Sequence, residues 1–118
     1  VFEMNEVQRW FLDAWILSQS MNFNLTLLPE TVIGPYRVDF FIEILGHKYA
    51  VEIDGHEFHK TKEQRASDYK RERYLQKQGI IVVRFTGTEA FQEPYVCVDE
   101  LAEIIIANTH DKKSTTIK

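Results

Sequence analysis

The sequence predicts an α/β domain in which a central mixed β-sheet is flanked by helices. Two strand patterns, over 36–45 and 47–54, meet at Leu45-Gly46 and so read as an antiparallel pair. A charged helical pattern over 61–78 runs directly into the apolar stretch IIVVRF at 80–85. A right-handed crossover would lay that last strand parallel to a neighbour. Helical patterns at both ends supply the flanking layers.

Taken in order, residues 2–20 carry Phe2, Val7, Trp10, Phe11, Ala14, Ile16 and Leu17 at near-helical spacing, with Trp15 broadening the stripe. Glu3 and Glu6 fall in the first turns, where the helix dipole favours negative charge. Asn22 to Asn24 break the pattern, and 25–28 reads as a short strand ended by Pro29. Residues 32–35 form a turn or edge element. In 36–45, Tyr36, Val38, Phe40 and Ile42 alternate with Arg37, Asp39, Phe41 and Glu43. In 47–54, Tyr49, Val51 and Ile53 face one way, while Lys48, Ala50, Glu52 and Asp54 face the other. An antiparallel pairing then brings Asp39 close to Glu52. The helix over 61–78 has only Tyr69, Tyr74 and Leu75 as apolar contacts and stops at Gly79. Thr86-Gly87-Thr88 caps a helical turn, Pro94 introduces a last helix over 96–108, and 108–118 reads as a polar tail.

One hundred and eighteen residues suit a single domain, 1–118. Apolar and charged fractions of 44% and 27% are those of an ordinary globular protein. No apolar run approaches the ~20 residues of a membrane span, no secretory leader pattern opens the chain, and a cytoplasmic setting is expected. The single Cys97 excludes an intrachain disulfide and any multi-cysteine zinc site. The net charge of −4 argues against a protein that binds nucleic acid over its whole surface. Within 60–77, however, Lys60, Lys62, Arg65, Lys70, Arg71, Arg73 and Lys77 oppose only Glu63, Asp68 and Glu72, a local excess of four positive charges. The chain opens on Val1 inside a helical pattern, so a domain excised from a longer protein is expected.

The chemistry concentrates in 36–59. Carboxylates within strands so rich in apolar residues are costly unless a cation or hydrogen bonds compensate them. Asp39 and Glu52 on adjacent strands suit a divalent cation such as Mg²⁺, which takes oxygen ligands and keeps waters for a phosphate substrate. Ordinary surface acids on an exposed sheet face are the plain alternative. Asp54 and Gly55 turn the chain where the second strand delivers its acids. His59, with His56 ranked below it, suits general acid–base chemistry near neutral pH, or is a surface histidine at a helix start. Asp68 is placed to orient an imidazole, or to pair with Arg65 or Arg71 along the helix. The basic helix suits phosphate-backbone contacts, or is a solvated face.

The segment VDF, eleven residues, EIDGHEFH, and then D-x-x-R-x-x-x-L-x-x-x-G-I-I-V-V-R-F resembles the PD-(D/E)xK nuclease superfamily, and within it the very-short-patch-repair (Vsr-like) branch. The likeness covers roughly 3–86. It is closer still to the homing endonucleases of phage introns that carry an E-D-x-H-D signature, which maps onto Glu6, Asp39, Ile53, His59 and Asp68, with Glu3 as the alternative first member. The resemblance implies a restriction-endonuclease-like three-layer fold and Mg²⁺ (or Mn²⁺) held by Asp39 and the Ile53 backbone carbonyl. It also implies a helix Glu that orders a water of the cation's shell, and a His59–Asp68 pair that serves the hydrolytic water or leaving group. Three departures stand out. Asp54 occupies the superfamily's lysine position, Glu52 supplies a carboxylate that the repair enzymes lack, and no structural zinc is expected.

The expected function is therefore a metal-dependent endonuclease of double-stranded DNA, the catalytic domain of a phage intron homing endonuclease acting in the cytoplasm of a bacterial or phage-infected cell. Lys62, Arg65, Lys70 and Arg71 would contact the DNA backbone, specificity would come from a segment outside these residues, and a homodimer is left open. The alternatives are a repair or restriction-type nuclease domain, and a catalytically inactive nuclease-like module that binds DNA or protein.

Overall fold

The computed structural model describes residues 5–19, 26–55 and 60–117. Glu3, His56, Phe58, His59 and the asparagine break at 22–24 lie outside them. The elements run α1 (Glu6–Gln19), β1 (Leu28–Ile33), β2 (Tyr36–Ile44), β3 (His47–Asp54), α2 (Lys62–Lys77), β4 (Ile80–Thr86), α3 (Gly87–Gln92) and α4 (Pro94–Ile117). One sheet in the order β1-β2-β3-β4 carries them. The first two pairings are antiparallel, and β3 with β4 is parallel through the α2 crossover. This is the expected three-layer α/β architecture, with a mixed sheet between helices.

Alternation along β3 and β4 sends residues to two cores. Tyr49, Val51, Val83 and Phe85 pack with Phe11 and Trp15 of α1 and Val98 and Leu101 of α4. Ala50 and Ile80 pack on the other face with Leu75 of α2. Both faces of β3 and β4 are therefore covered, and the run Ile80 to Val83 is continuously apolar for that reason. Leu75 is fully buried at the centre of the thinner layer. Its burial contributes ~2 kcal/mol.

Hairpin geometry fixes where β2 and β3 meet. Ile44 pairs with His47, and the two intervening residues, Leu45 and Gly46, both take positive φ, 51° and 82°. Those are the signs of a type I′ turn, whose twist suits flanking strands. At the preceding hairpin Gly34 takes φ 58°, and a Cβ there would collide with the Tyr74 ring of α2. The hairpin tip and α2 therefore approach each other more closely than a side chain at position 34 would allow.

Several local expectations change. The strand expected over 25–28 runs instead over Leu28–Ile33 and contains Pro29, paired with Phe40. An edge strand tolerates proline because its missing N–H can face solvent. Trp15 is core while Trp10, Ile16 and Leu17 are exposed, so the buried face of α1 is rotated toward Gln8, Phe11 and Trp15. Tyr69 is also exposed, leaving Leu75 with half-buried Tyr74 as the apolar anchors of α2. Pro94 sits in the first turn of α4, where no N–H is needed, and the helix continues through the expected polar tail to Ile117. Among the described residues, no helix is long and apolar enough to cross a membrane.

Candidate active site

The strand ladder is interrupted at Asp39 on both sides. Pairing with β1 passes from Pro29↔Phe40 to Thr31↔Val38, omitting Glu30 and Asp39. Pairing with β3 begins only at Phe40↔Val51, omitting Asp39 and Glu52. Glu30, at φ 49°, holds the left-handed backbone that opens the first gap. The alternation also shifts phase here. Val38 packs with Leu75 on the α2 face, whereas Phe40 and Ile42 pack on the α1 face. The expectation that Val38 shares a face with Phe40 fails because the backbone twists between them.

Two carboxylates close the β2–β3 gap. The Asp39 N–H donates to Glu52 Oε2 at 2.9 Å, and the Ile53 N–H donates to Asp39 Oδ2 at 2.8 Å. Each acid thus takes a backbone donor at the place where the ladder has lapsed, as buried N–H groups require. Asp39 and Glu52 are brought together as the hairpin arithmetic predicts.

Each carboxylate has a second partner, and the two partners come from opposite layers. Gln8 of α1 donates from Nε2 to Asp39 Oδ1 at 2.9 Å. Its side-chain oxygen accepts from the Asn5 N–H at 3.1 Å, while Asn5 Oδ1 accepts from the Gln8 N–H at 2.8 Å. This reciprocal cap fixes the buried amide at the helix start. Glu6, the helix acid mapped from the sequence, is instead exposed. Two residues along a helix rotate a side chain by roughly 200°, so Glu6 faces away when Gln8 faces Asp39. An Asn-x-x-Gln pattern with the Gln inside an apolar stripe was the available signal for Gln8. On the other face Arg71 of α2 meets Glu52 Oε1 at 2.7 Å, with the two side chains 18% and 9% exposed. Its second nitrogen donates to the Arg37 carbonyl at 2.6 Å, and its guanidinium lies 5.9 Å from the Tyr36 ring centroid. Arg71, expected among the cations facing DNA, is turned inward.

Burial pushes the Asp39 carboxyl up to about 6 against the ordinary 3.8; the Ile53 N–H opposes this, and the negative charges of Glu52, Glu30 and Asp54 add to it. Glu30, which no motif singled out, belongs to this acidic surround and pairs with Arg37 at 3.7 Å. An anion held among other anions gains from a cation. The groups here are carboxylate oxygens on two strands, the chemistry that would suit a hard divalent cation such as Mg²⁺. Among the described residues, no group of three or more His, Cys, Asp or Glu is placed to hold a metal by itself. Asp39 and Glu52 are the two carboxylates that the strands bring together here.

At the lysine position, Asp54 lies 3.4 Å from Arg84 Nη1. Arg84 stands opposite Glu52 in the β4 register and also holds Glu72 at 2.9 Å. Asp68 pairs with Lys60 at 2.6 Å rather than with Arg65 or Arg71. His56 and His59 are outside the described residues. Lys62, Arg65 and Lys70 are exposed along α2. Cys97 offers no nucleophile, since burial, and then nearby glutamates, push its thiol up to about 11.

A mixed four-stranded sheet between helices is the architecture of a restriction-endonuclease-like fold. The chain belongs to the REase_MTES_1575 family, a restriction-endonuclease-like family whose model matches residues 16–105. No curated protein and no solved structure shows significant similarity to it.

Proposed function

We propose that this domain is a divalent-metal-dependent endonuclease acting on double-stranded DNA. The observation that carries the reading is the meeting of Asp39 and Glu52 across the opened β2–β3 pairing, on the fold of a nuclease family. Asp39, Glu52 and the Ile53 carbonyl would hold Mg²⁺ or Mn²⁺. Bound there, the cation would neutralise charge on the scissile phosphate and acidify a water. Gln8 fixes the Asp39 carboxylate from α1, and Arg71 fixes Glu52 from α2. His59, next to the Lys60 that pairs with Asp68, would accept the proton of the attacking water. Exposed Lys62, Arg65 and Lys70 would position the DNA backbone without reading sequence.

Between the cellular contexts, a restriction or repair role is favoured over intron homing. Of the two candidates for the first acid of the homing signature, Glu6 is exposed and Glu3 lies outside the described residues, while a neutral Gln8 occupies the place beside Asp39. The test is nicking of supercoiled plasmid with Mg²⁺ or with EDTA, by wild type and Asp39→Ala. Metal-dependent cleavage lost in the variant is expected. Cleavage in EDTA, or undiminished cleavage by Asp39→Ala, would overturn the mechanism.

A further inference from the structure

Beside the carboxylate pair lies a cleft of about 310 Å³ lined by Asp54, Lys60, Arg65, Asp68, Tyr69, Glu72 and Arg84. That volume is at the small end of ligand pockets, the size for one small moiety rather than for a length of duplex. One wall is a single face of α2, since residues 65, 68, 69 and 72 recur at helical spacing. The other is the end of β3 and β4. Asp54, two residues beyond Glu52 on the same strand face, links the cleft to the carboxylate pair.

The charges of the cleft decide what it suits. Its three acids and three bases balance, and most are already paired: Lys60 with Asp68, and Arg84 with both Asp54 and Glu72. An electroneutral recess is a poor seat for a run of phosphates, which bind where positive charge is in excess. It is a good seat for an uncharged heterocycle that carries hydrogen-bonding edges. Two features remain unspent. Tyr69 is 60% exposed, an aromatic surface offered to the cleft from a helix that has little use for it in packing. Arg65, one helical turn before it, is exposed, and its guanidinium has no ion-pair or hydrogen-bond partner among the described residues.

We propose that this cleft binds one unpaired nucleotide of the DNA substrate, its base against the Tyr69 ring and its phosphate on Arg65. Carboxylate and guanidinium groups of Asp54, Glu72 and Arg84 line the recess that the base edge enters. Base–aromatic stacking tolerates any sequence, because every base presents a π-face. The inference rests on the nuclease reading for its choice of ligand, and it narrows that reading. The favoured substrate is a duplex with an unpaired or splayed nucleotide beside the cleaved bond, not a perfect duplex.

The test measures binding apart from cleavage. Hairpin duplexes carrying one unpaired 2-aminopurine, the same base fully paired, or an abasic site at that position are titrated with protein in EDTA, following fluorescence and anisotropy. Wild type should bind the unpaired probe most tightly and quench its fluorescence. Tyr69→Ala should abolish the quench and weaken binding roughly tenfold, within the range that one stacked base supplies, while Tyr69→Phe retains both. Arg65→Ala should weaken the unpaired and abasic probes alike. Equal affinity for paired and unpaired probes, or a quench unchanged by Tyr69→Ala, overturns the proposal. The nuclease reading is judged separately by the Asp39→Ala cleavage assay, so the two can fail independently.

Discussion

Arg71 provides the sharpest energetic test of how the site is held. Its guanidinium is the counter-charge of Glu52 at 2.7 Å, caps the Arg37 carbonyl at 2.6 Å, and lies over Tyr36. Removing one partner of a buried ion pair costs ~3–5 kcal/mol, because the remaining charge keeps its desolvation penalty. Glu52 would retain the Asp39 N–H, which places Arg71→Ala at the lower end, about 3 kcal/mol. With a urea m-value of ~2 kcal/mol/M, this is a midpoint shift of roughly 1.5 M at unchanged slope. Glu52→Gln in the same background should recover at least ~1.5 kcal/mol, since a neutral amide can still accept the Asp39 N–H without carrying an unpaired charge. A divalent cation can replace the guanidinium as counter-charge. Mg²⁺ at ten times its Kd stabilises by about 1.4 kcal/mol, and the increment should be larger in Arg71→Ala than in wild type. A loss below ~1 kcal/mol, or additive single and double variants, would refute the account of the pair. Equal Mg²⁺ increments in the two proteins would remove Glu52 from the cation's ligands, and no increment in either would count against cation binding at the site.

Two further outcomes follow from the same geometry. Because the folded Asp39 carboxyl titrates near 6 rather than 3.8, the native state binds more protons than the unfolded state between those values. The resulting stability is complete below about 3.8 and lost as pH rises through about 6. The gap corresponds to ~3 kcal/mol, reduced to ~1–2 kcal/mol by solvent screening at a partly open site. Chemical denaturation in metal-free buffer should show this component in wild type and not in Asp39→Asn, with the difference growing toward pH 7; parallel pH profiles would contradict it. At the hairpin tips, Gly34→Ala meets both a positive φ and the Tyr74 ring, whereas Gly46→Ala meets a positive φ and open space. Thermal or urea unfolding should show a loss of about 2–3 kcal/mol for the first and about 1 kcal/mol for the second, and equal losses would mean that Tyr74 does not pack on the turn.

The features legible in the sequence were those written in periodicity. The strand pattern of 36–54, the charged helix stopped by Gly79 and the apolar run IIVVRF gave a mixed sheet with a parallel crossover, and the hairpin's register put Asp39 beside Glu52. What escaped depends on phase rather than period. The choice between Glu6 and Gln8 is a rotation of α1 about its axis, set by whether Trp10 or Trp15 enters the core, and the apolar stripe admits both. Glu30 joins the acidic surround through a left-handed backbone angle that no residue type in its neighbourhood demands. The strict alternation expected for β2 failed at Asp39, and that failure carries the functional argument. A strand holding its ladder at that position would present Asp39 with its backbone already paired. With the ladder lapsed, the carboxylates must serve the orphaned N–H groups, and each is thereby fixed against the neighbouring strand. An acid that only replaced a ladder bond would do as well as a neutral amide. Burial, and then the neighbouring charges of Glu52, Glu30 and Asp54, disfavour the charged Asp39 carboxylate and push its carboxyl up to about 6. A bound cation would offset that cost, and it is the reason to read the lapse as a site rather than as a bulge.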